Sequence, residues 1–169
     1  RQDGVTLLEG YLNQLRTRAD GLTERTIAME AALRDHHVLG DTVVAIGEVP
    51  DMPYTGWRRA LLHRQGRHSV VIDELTPRID TENLEVQLLW ETRGGNWLAD
   101  PERPNQMRLD RPLDAPTPRV PAVCTASDVD ILRDGSQATM QYFGPARAGE
   151  KQYFFSLVTG IPAETNPEV

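Results

Sequence analysis

From Thr42 onward the apolar residues come in short runs, each bounded by Gly, Pro or Asp, and many alternate with polar neighbours. That is the pattern of antiparallel strands with one face inward. Thr42-Val43-Val44-Ala45-Ile46 is β-branched and short and follows a Gly40-Asp41 turn, so it predicts a buried strand after His37-Val38-Leu39. Pro50 and Pro53 open a loop. Residues 57–64 pair across Gln65-Gly66 with residues 69–75, Pro77 breaks the run, and Leu84, Val86, Leu88 and Trp90 alternate strictly. Val129 and Ile131 lead into Asp134-Gly135, a hairpin signal, and Ala138, Met140 and Tyr142 lead away from it. Residues 151–158 make the last strand, ahead of Gly160, Pro162 and a polar tail.

Two stretches read differently. Val5, Leu8, Leu12, Leu15 and Ala19 recur at steps of three and four, which predicts an amphipathic helix over residues 4–19, ended by Asp20-Gly21. Ile27, Met29, Ala31 and Leu33 then alternate like a strand, but Ala, Met, Glu and Leu also form good helices, so residues 24–35 stay open between the two. Six of the twelve prolines fall between residues 99 and 121, and a proline has no N–H for a ladder, so a long surface excursion is expected there. About eight or nine strands then imply two packed layers, since a half-apolar sheet must cover its face. The expected fold is all-β, a two-layer antiparallel β-sandwich of jelly-roll or supersandwich type, with one N-terminal α-helix. Residues 1–22 would be helix and linker, 23–160 the sandwich and 161–169 a flexible tail.

Composition narrows the function. A chain of 169 residues suits one domain. A formal charge of −7 argues against general nucleic-acid binding, which needs a basic face. No apolar stretch approaches the ~20 residues that span a bilayer, so no membrane association is expected. The chain starts Arg1-Gln2-Asp3 without Met and reads as a processed protein or an excised piece of a longer one. Cys124 is the only cysteine, so it forms no internal disulfide. It leaves both a reducing and an export compartment open, with a periplasmic or extracellular setting preferred. In Val123-Cys124-Thr125 it reads as a structural strand residue.

Signature motifs for phosphate loops, nucleophile elbows, zinc proteases and Cys-x-x-Cys modules are absent. His36 and His37 are neighbours on a strand and point to opposite faces, so they cannot easily share a metal. His63 and His68 flank a tight turn with Asp73 nearby, which allows a small catalytic or metal-binding set or simply an exposed hairpin tip. Asp73 and Glu74 face apart, which disfavours a glycosidase dyad. No metal or cofactor is expected. Electrostatics supply the best candidates: Arg58, Arg59, Arg64 and Arg67 lie within ten residues, with His63 and His68 among them. Guanidinium forks suit carboxylate and sulfate groups, and Tyr54 or Trp57 could stack on a sugar ring. Alternatively, the arginines pair with the chain's own carboxylates and Trp57 belongs to the core.

The order Thr42-Val43-Val44-Ala45, Tyr54, Trp57-Arg58-Arg59, Gln65-Gly66-Arg67, Val70-Val71-Ile72-Asp73 and Leu88-Leu89-Trp90 resembles the C-terminal β-sandwich of heparinase II/III-type polysaccharide lyases. Gly149-Glu150-Lys151-Gln152-Tyr153-Phe154-Phe155 resembles a late strand of the same region. The resemblance covers roughly residues 37–158. Such lyases are implied to cleave acidic polysaccharide by β-elimination, with catalytic groups largely on a helical toroid that has no counterpart here. No catalytic residue is therefore carried over. The resemblance implies a non-catalytic accessory or scaffold domain, with an N-terminal catalytic domain of the same polypeptide as partner and acidic polysaccharide as a further one. The alternatives are a free-standing carbohydrate-binding or adhesion module, and a small enzyme using His63, His68 and Asp73.

Overall fold

The computed structural model describes residues 15–20, 22–23, 32–49, 54–92, 95–110 and 119–162. Every element among them is a strand. In chain order they are β1 (Leu15–Ala19), β2 (Leu22–Thr23), β3 (Ala32–Leu39), β4 (Thr42–Val49), β5 (Thr55–Arg64), β6 (His68–Pro77) and β7 (Thr81–Glu91). They continue with β8 (Trp97–Asp100), β9 (Arg103–Leu109), β10 (Arg119–Thr125), β11 (Asp130–Asp134), β12 (Gln137–Ala146) and β13 (Gln152–Pro162). Two antiparallel sheets result, as the alternation predicts. One has the order β11-β12-β7-β1-β2 and the other β3-β4-β5-β6-β13-β10-β9-β8.

The sheets enclose one core. From the smaller sheet, Leu84, Val86, Leu88 and Trp90 of β7 and Ala138 and Met140 of β12 point inward. Val71 and Leu75 of β6, Phe154 and Val158 of β13, Val123 of β10 and Met107 of β9 meet them. The Ser156 hydroxyl lies 3.7 Å from the Met140 sulfur, and the Tyr142 and Phe154 rings meet edge to face at 5.7 Å, both across the layers.

Three expectations need correction. The last five residues of the expected helix form β1, which pairs with β7 from Leu15↔Leu88 to Ala19↔Leu84. Thr17 and Ala19 are buried while Arg18 between them is exposed, so a period of two prevails over the spacing of three and four. Asp20 sits at φ 49°, so the position read as a helix stop begins a turn between the paired strands β1 and β2. Its carboxylate accepts the Thr81 hydroxyl at 2.8 Å, which ties the turn to β7. Second, the proline-rich stretch is not a single excursion, because β8, β9 and the start of β10 fall within it. Pro101 lies in the turn between β8 and β9. Pro104 falls where the β8–β9 register jumps from Ala99↔Met107 to Asp100↔Arg103, so no ladder requires its N–H. Pro121 lies one residue beyond the last position at which β9 pairs with β10. Third, β13 runs on through Gly160 to Pro162, because β10 supplies a partner for every residue of that extension. Residues 1–14, most of the ambiguous stretch 24–35, Pro50, Pro53 and the tail 163–169 lie outside the described residues; the end of the ambiguous stretch belongs to β3.

Candidate functional site

The hairpin of β5 and β6 carries most of the candidates, and its register decides what each can do. Trp57 pairs with Leu75, Arg59 with Asp73, Leu61 with Val71 and His63 with Ser69. These pairs share the face turned toward the smaller sheet. Arg58 opposite Glu74, Ala60 opposite Ile72, Leu62 opposite Val70 and Arg64 opposite His68 share the outer face. Gly66, at φ 67°, closes a three-residue turn in which the Arg67 amide donates to the Arg64 carbonyl at 3.1 Å.

On the inner face a carboxylate is fully enclosed. Asp73 is 1% exposed. It accepts the Trp57 indole N–H at 2.7 Å and both arms of the Arg59 guanidinium, Nε at 2.7 Å and an Nη at 2.9 Å. The guanidinium carbon also stands 5.0 Å above the Trp57 ring, a cation–π contact. A bidentate ion pair with a third donor satisfies a buried carboxylate and locks Trp57 and Arg59 in place. Beside it lies an apolar groove of about 200 Å³ between β4 and β5, lined by Ala45, Gly47, Val49, Trp57 and Leu61. Gly47 opens this groove by lacking a side chain, and a Cβ there would meet only the Ala32 carbonyl, at 3.6 Å.

On the outer face the charges alternate across five strands. Arg34 of β3 bonds to Glu48 of β4. Arg58 of β5 stands opposite Glu48 on one side and Glu74 of β6 on the other. Lys151, just before β13, reaches Glu74 at 2.9 Å. The Lys151 hydrogen bond, joined by Tyr153 and the charges of Lys151 and Arg58, holds the Glu74 carboxyl below its usual range. At the hairpin end Arg64 bonds to Asp41 at 2.8 Å and lowers the Asp41 pKa in the same way. Arg58, Arg59 and Arg64 therefore face carboxylates of this chain, and Arg67 lies in the exposed turn.

The histidines do not converge. His63 lies on the inner face with its Nδ1 2.9 Å from the Ser69 hydroxyl, while His68 lies on the outer face. Asp73 is two inward pairs further along the hairpin and is already engaged by Arg59. His36 and His37 pair with Ala45 and Val44 and so face opposite ways, and His37 bonds to Asp35 at 3.0 Å. No group of three metal-ligating side chains occurs among the described residues. Cys124 is half-buried, and burial pushes its thiol pKa up, away from the range of a reactive thiolate. Tyr54 precedes β5, where its carbonyl accepts the Arg78 amide at 2.8 Å. Sequence reasoning missed Glu48 as a neighbour of Arg58 and Lys151 as a partner of Glu74, although pairing outward from the Gln65-Gly66 turn already sets Arg58 against Glu74.

Neither a family model nor a curated protein matches the sequence. Solved structures do match. Heparan sulfate lyase HepC from Pedobacter heparinus superposes with a TM-score of 0.64 at 14% identity, over 90% of this chain. This sandwich resembles one domain of the heparinase III lyases. A structure of heparinase III gives a TM-score of 0.60 at 11% identity over 89% of this chain. A putative kojibiose phosphorylase from the human microbiome gives 0.56 at 10% identity over 92%. The chain spans about a quarter of each, 24% of the two lyases and 23% of the phosphorylase. A lyase and a protein named as a phosphorylase thus share the fold, and fold alone does not select a reaction.

Proposed function

We propose that this chain is a non-catalytic β-sandwich domain of a larger, heparinase-like polysaccharide lyase, in which it supports the catalytic part. The observation that carries this reading is the lopsided coverage: nine-tenths of this chain aligns with a quarter of a heparan sulfate lyase. The hairpin chemistry supports it too. Arg59 and Trp57 are held by Asp73, and Arg58 stands between Glu48 and Glu74, so these groups build the sheet before they can meet a ligand. Contact with an acidic glycan belongs, on this reading, to the exposed hairpin turn at residues 65–67 rather than to the enclosed inner face.

The test is turnover and binding measured side by side. Incubated with heparan sulfate, the 169-residue chain is expected to give no rise in unsaturated-uronate absorbance, whereas the longer polypeptide that contains it is expected to give one. Product formed by the chain alone and lost in His63→Ala would overturn the proposal. Saturable quenching of tryptophan fluorescence by heparan sulfate oligosaccharides, with no lyase activity in the longer polypeptide, would make the chain a binding module instead.

A further inference from the structure

The two sheets differ in what they turn outward. The smaller sheet turns outward a polar cluster, in which Glu85 accepts the amides of Gln87 and Gln141, both at 2.7 Å, and pairs with Arg18 at 3.7 Å, with Leu132 and Phe143 as exposed apolar residues around it. The larger sheet instead carries continuous apolar rows. The register sets Ile46, Ala60, Ile72 and Phe155 in one outward row across β4, β5, β6 and β13, and Val44, Leu62, Val70 and Leu157 in the next. All eight are at least partly exposed, Phe155 at 41%. The Tyr153 and Phe155 rings stack at 6.4 Å on the same surface. The sequence shows the same thing as unbroken apolar runs, Val43-Val44-Ala45-Ile46, Ala60-Leu61-Leu62 and Val70-Val71-Ile72, where a sheet with one wet face would alternate. Unbroken runs characterise strands covered on both faces.

We propose that this outer face is the seat of a neighbouring domain of the same polypeptide, which lays an apolar surface across β4, β5, β6 and β13. The row Arg34, Glu48, Arg58, Glu74 and Lys151 forms its polar rim. The inference rests on the reading of the chain as part of a longer protein, and size favours a tethered occupant over a second copy. The two apolar rows and the polar rim, each about 7 Å wide, on four strands about 4.8 Å apart make a plane of roughly 400 Å². Counting both partners, about 800 Å² falls within the range of interfaces between domains of one chain. It is about half of what a stable association of separate chains buries.

Thiol labelling tests the assignment. In a Cys124→Ser background, Ile72→Cys and Phe155→Cys on the outer face are compared with Leu132→Cys, a residue 55% exposed on the smaller sheet. In the 169-residue chain, which is expected to sediment as a monomer, all three are expected to react quickly with a maleimide. In the longer polypeptide the first two are expected to slow at least tenfold and the third to stay unchanged. Equal rates in both proteins would overturn the proposal, as would slow labelling in a dimer of the chain alone, which would give the face to a second copy. Lyase activity of the longer polypeptide is read separately: turnover with fast labelling rejects only the docking, and slow labelling without turnover rejects only the lyase role. A coding sequence with no further domain would reject both.

Discussion

Asp73 shows how a side chain that looks functional in a sequence can acquire structural partners in the fold. It lies near two histidines and four arginines, the composition of a reactive or anion-binding site. The sheet gives it a different use. At 1% exposure it is held by Arg59 and the Trp57 N–H, and it fixes both of them in turn. Removing one member of such a pair leaves an uncompensated charge out of water, so Asp73→Ala is expected to lower the unfolding free energy by about 3 kcal/mol. Replacing both charges by apolar groups removes the attraction and the desolvation cost together. The double variant Arg59→Met/Asp73→Leu is therefore expected to be more stable than Asp73→Ala in urea denaturation, which would identify the pair as a device of architecture. A double variant no more stable than the single one would show that the Trp57 N–H, left without an acceptor, dominates.

At the scale of the element, the ladder across β3, β4, β5, β6 and the start of β13 makes a prediction about pH. Glu74 has its pKa lowered from an ordinary value near 4.5, chiefly by the Lys151 hydrogen bond, and Lys151 has its pKa raised from 10.5 by the same contact. A carboxylate with a depressed folded pKa stabilises the fold above its unfolded value and loses that contribution as pH falls below it. A lysine with a raised folded pKa contributes below its unfolded value and loses this as pH rises further. The pair therefore acts fully between about pH 4.5 and 10.5. Lys151→Gln is expected to flatten the loss of thermal stability just below pH 4.5, read as the difference in melting temperature between neutral and acid buffer. This ladder also marks what the sequence could reveal at this scale. β4, β5 and β6 were legible as short apolar runs beside the Gly40-Asp41 and Gln65-Gly66 turns, β7 by strict alternation, β11 and β12 by the Asp134-Gly135 turn, and β13 by its run of aromatic and β-branched residues. β1 was not, since five residues that satisfy both spacings carry too little information, and the partner β7 that selects the strand lies 65 to 73 residues away in the chain. β8 to β10 were hidden by prolines: only the register shows that Pro104 falls at the irregularity between β8 and β9 and that Pro121 lies beyond the β9–β10 pairing.

For the whole molecule, the difference between an enclosed and an open face can be read on two adjacent residues of one strand. Phe154 and Phe155 are identical in sequence terms, and nothing local to the chain says which turns inward. The fold decides: Phe154 is 4% exposed and meets Tyr142 across the sandwich, whereas Phe155 is 41% exposed beside Tyr153 on the outer face. Phe154→Ala removes a ring from between the two sheets, where the surroundings relax only partly, and is expected to cost about 3–5 kcal/mol. Phe155→Ala in the 169-residue chain removes a ring that water already reaches, together with one stacking contact, and is expected to cost about 1 kcal/mol. Chemical denaturation of the two variants measures the difference. Costs of similar size would mean that the outer face is already covered within the chain. A wide gap would show that the sandwich folds around a single interior and that its second apolar face is surplus to its own stability.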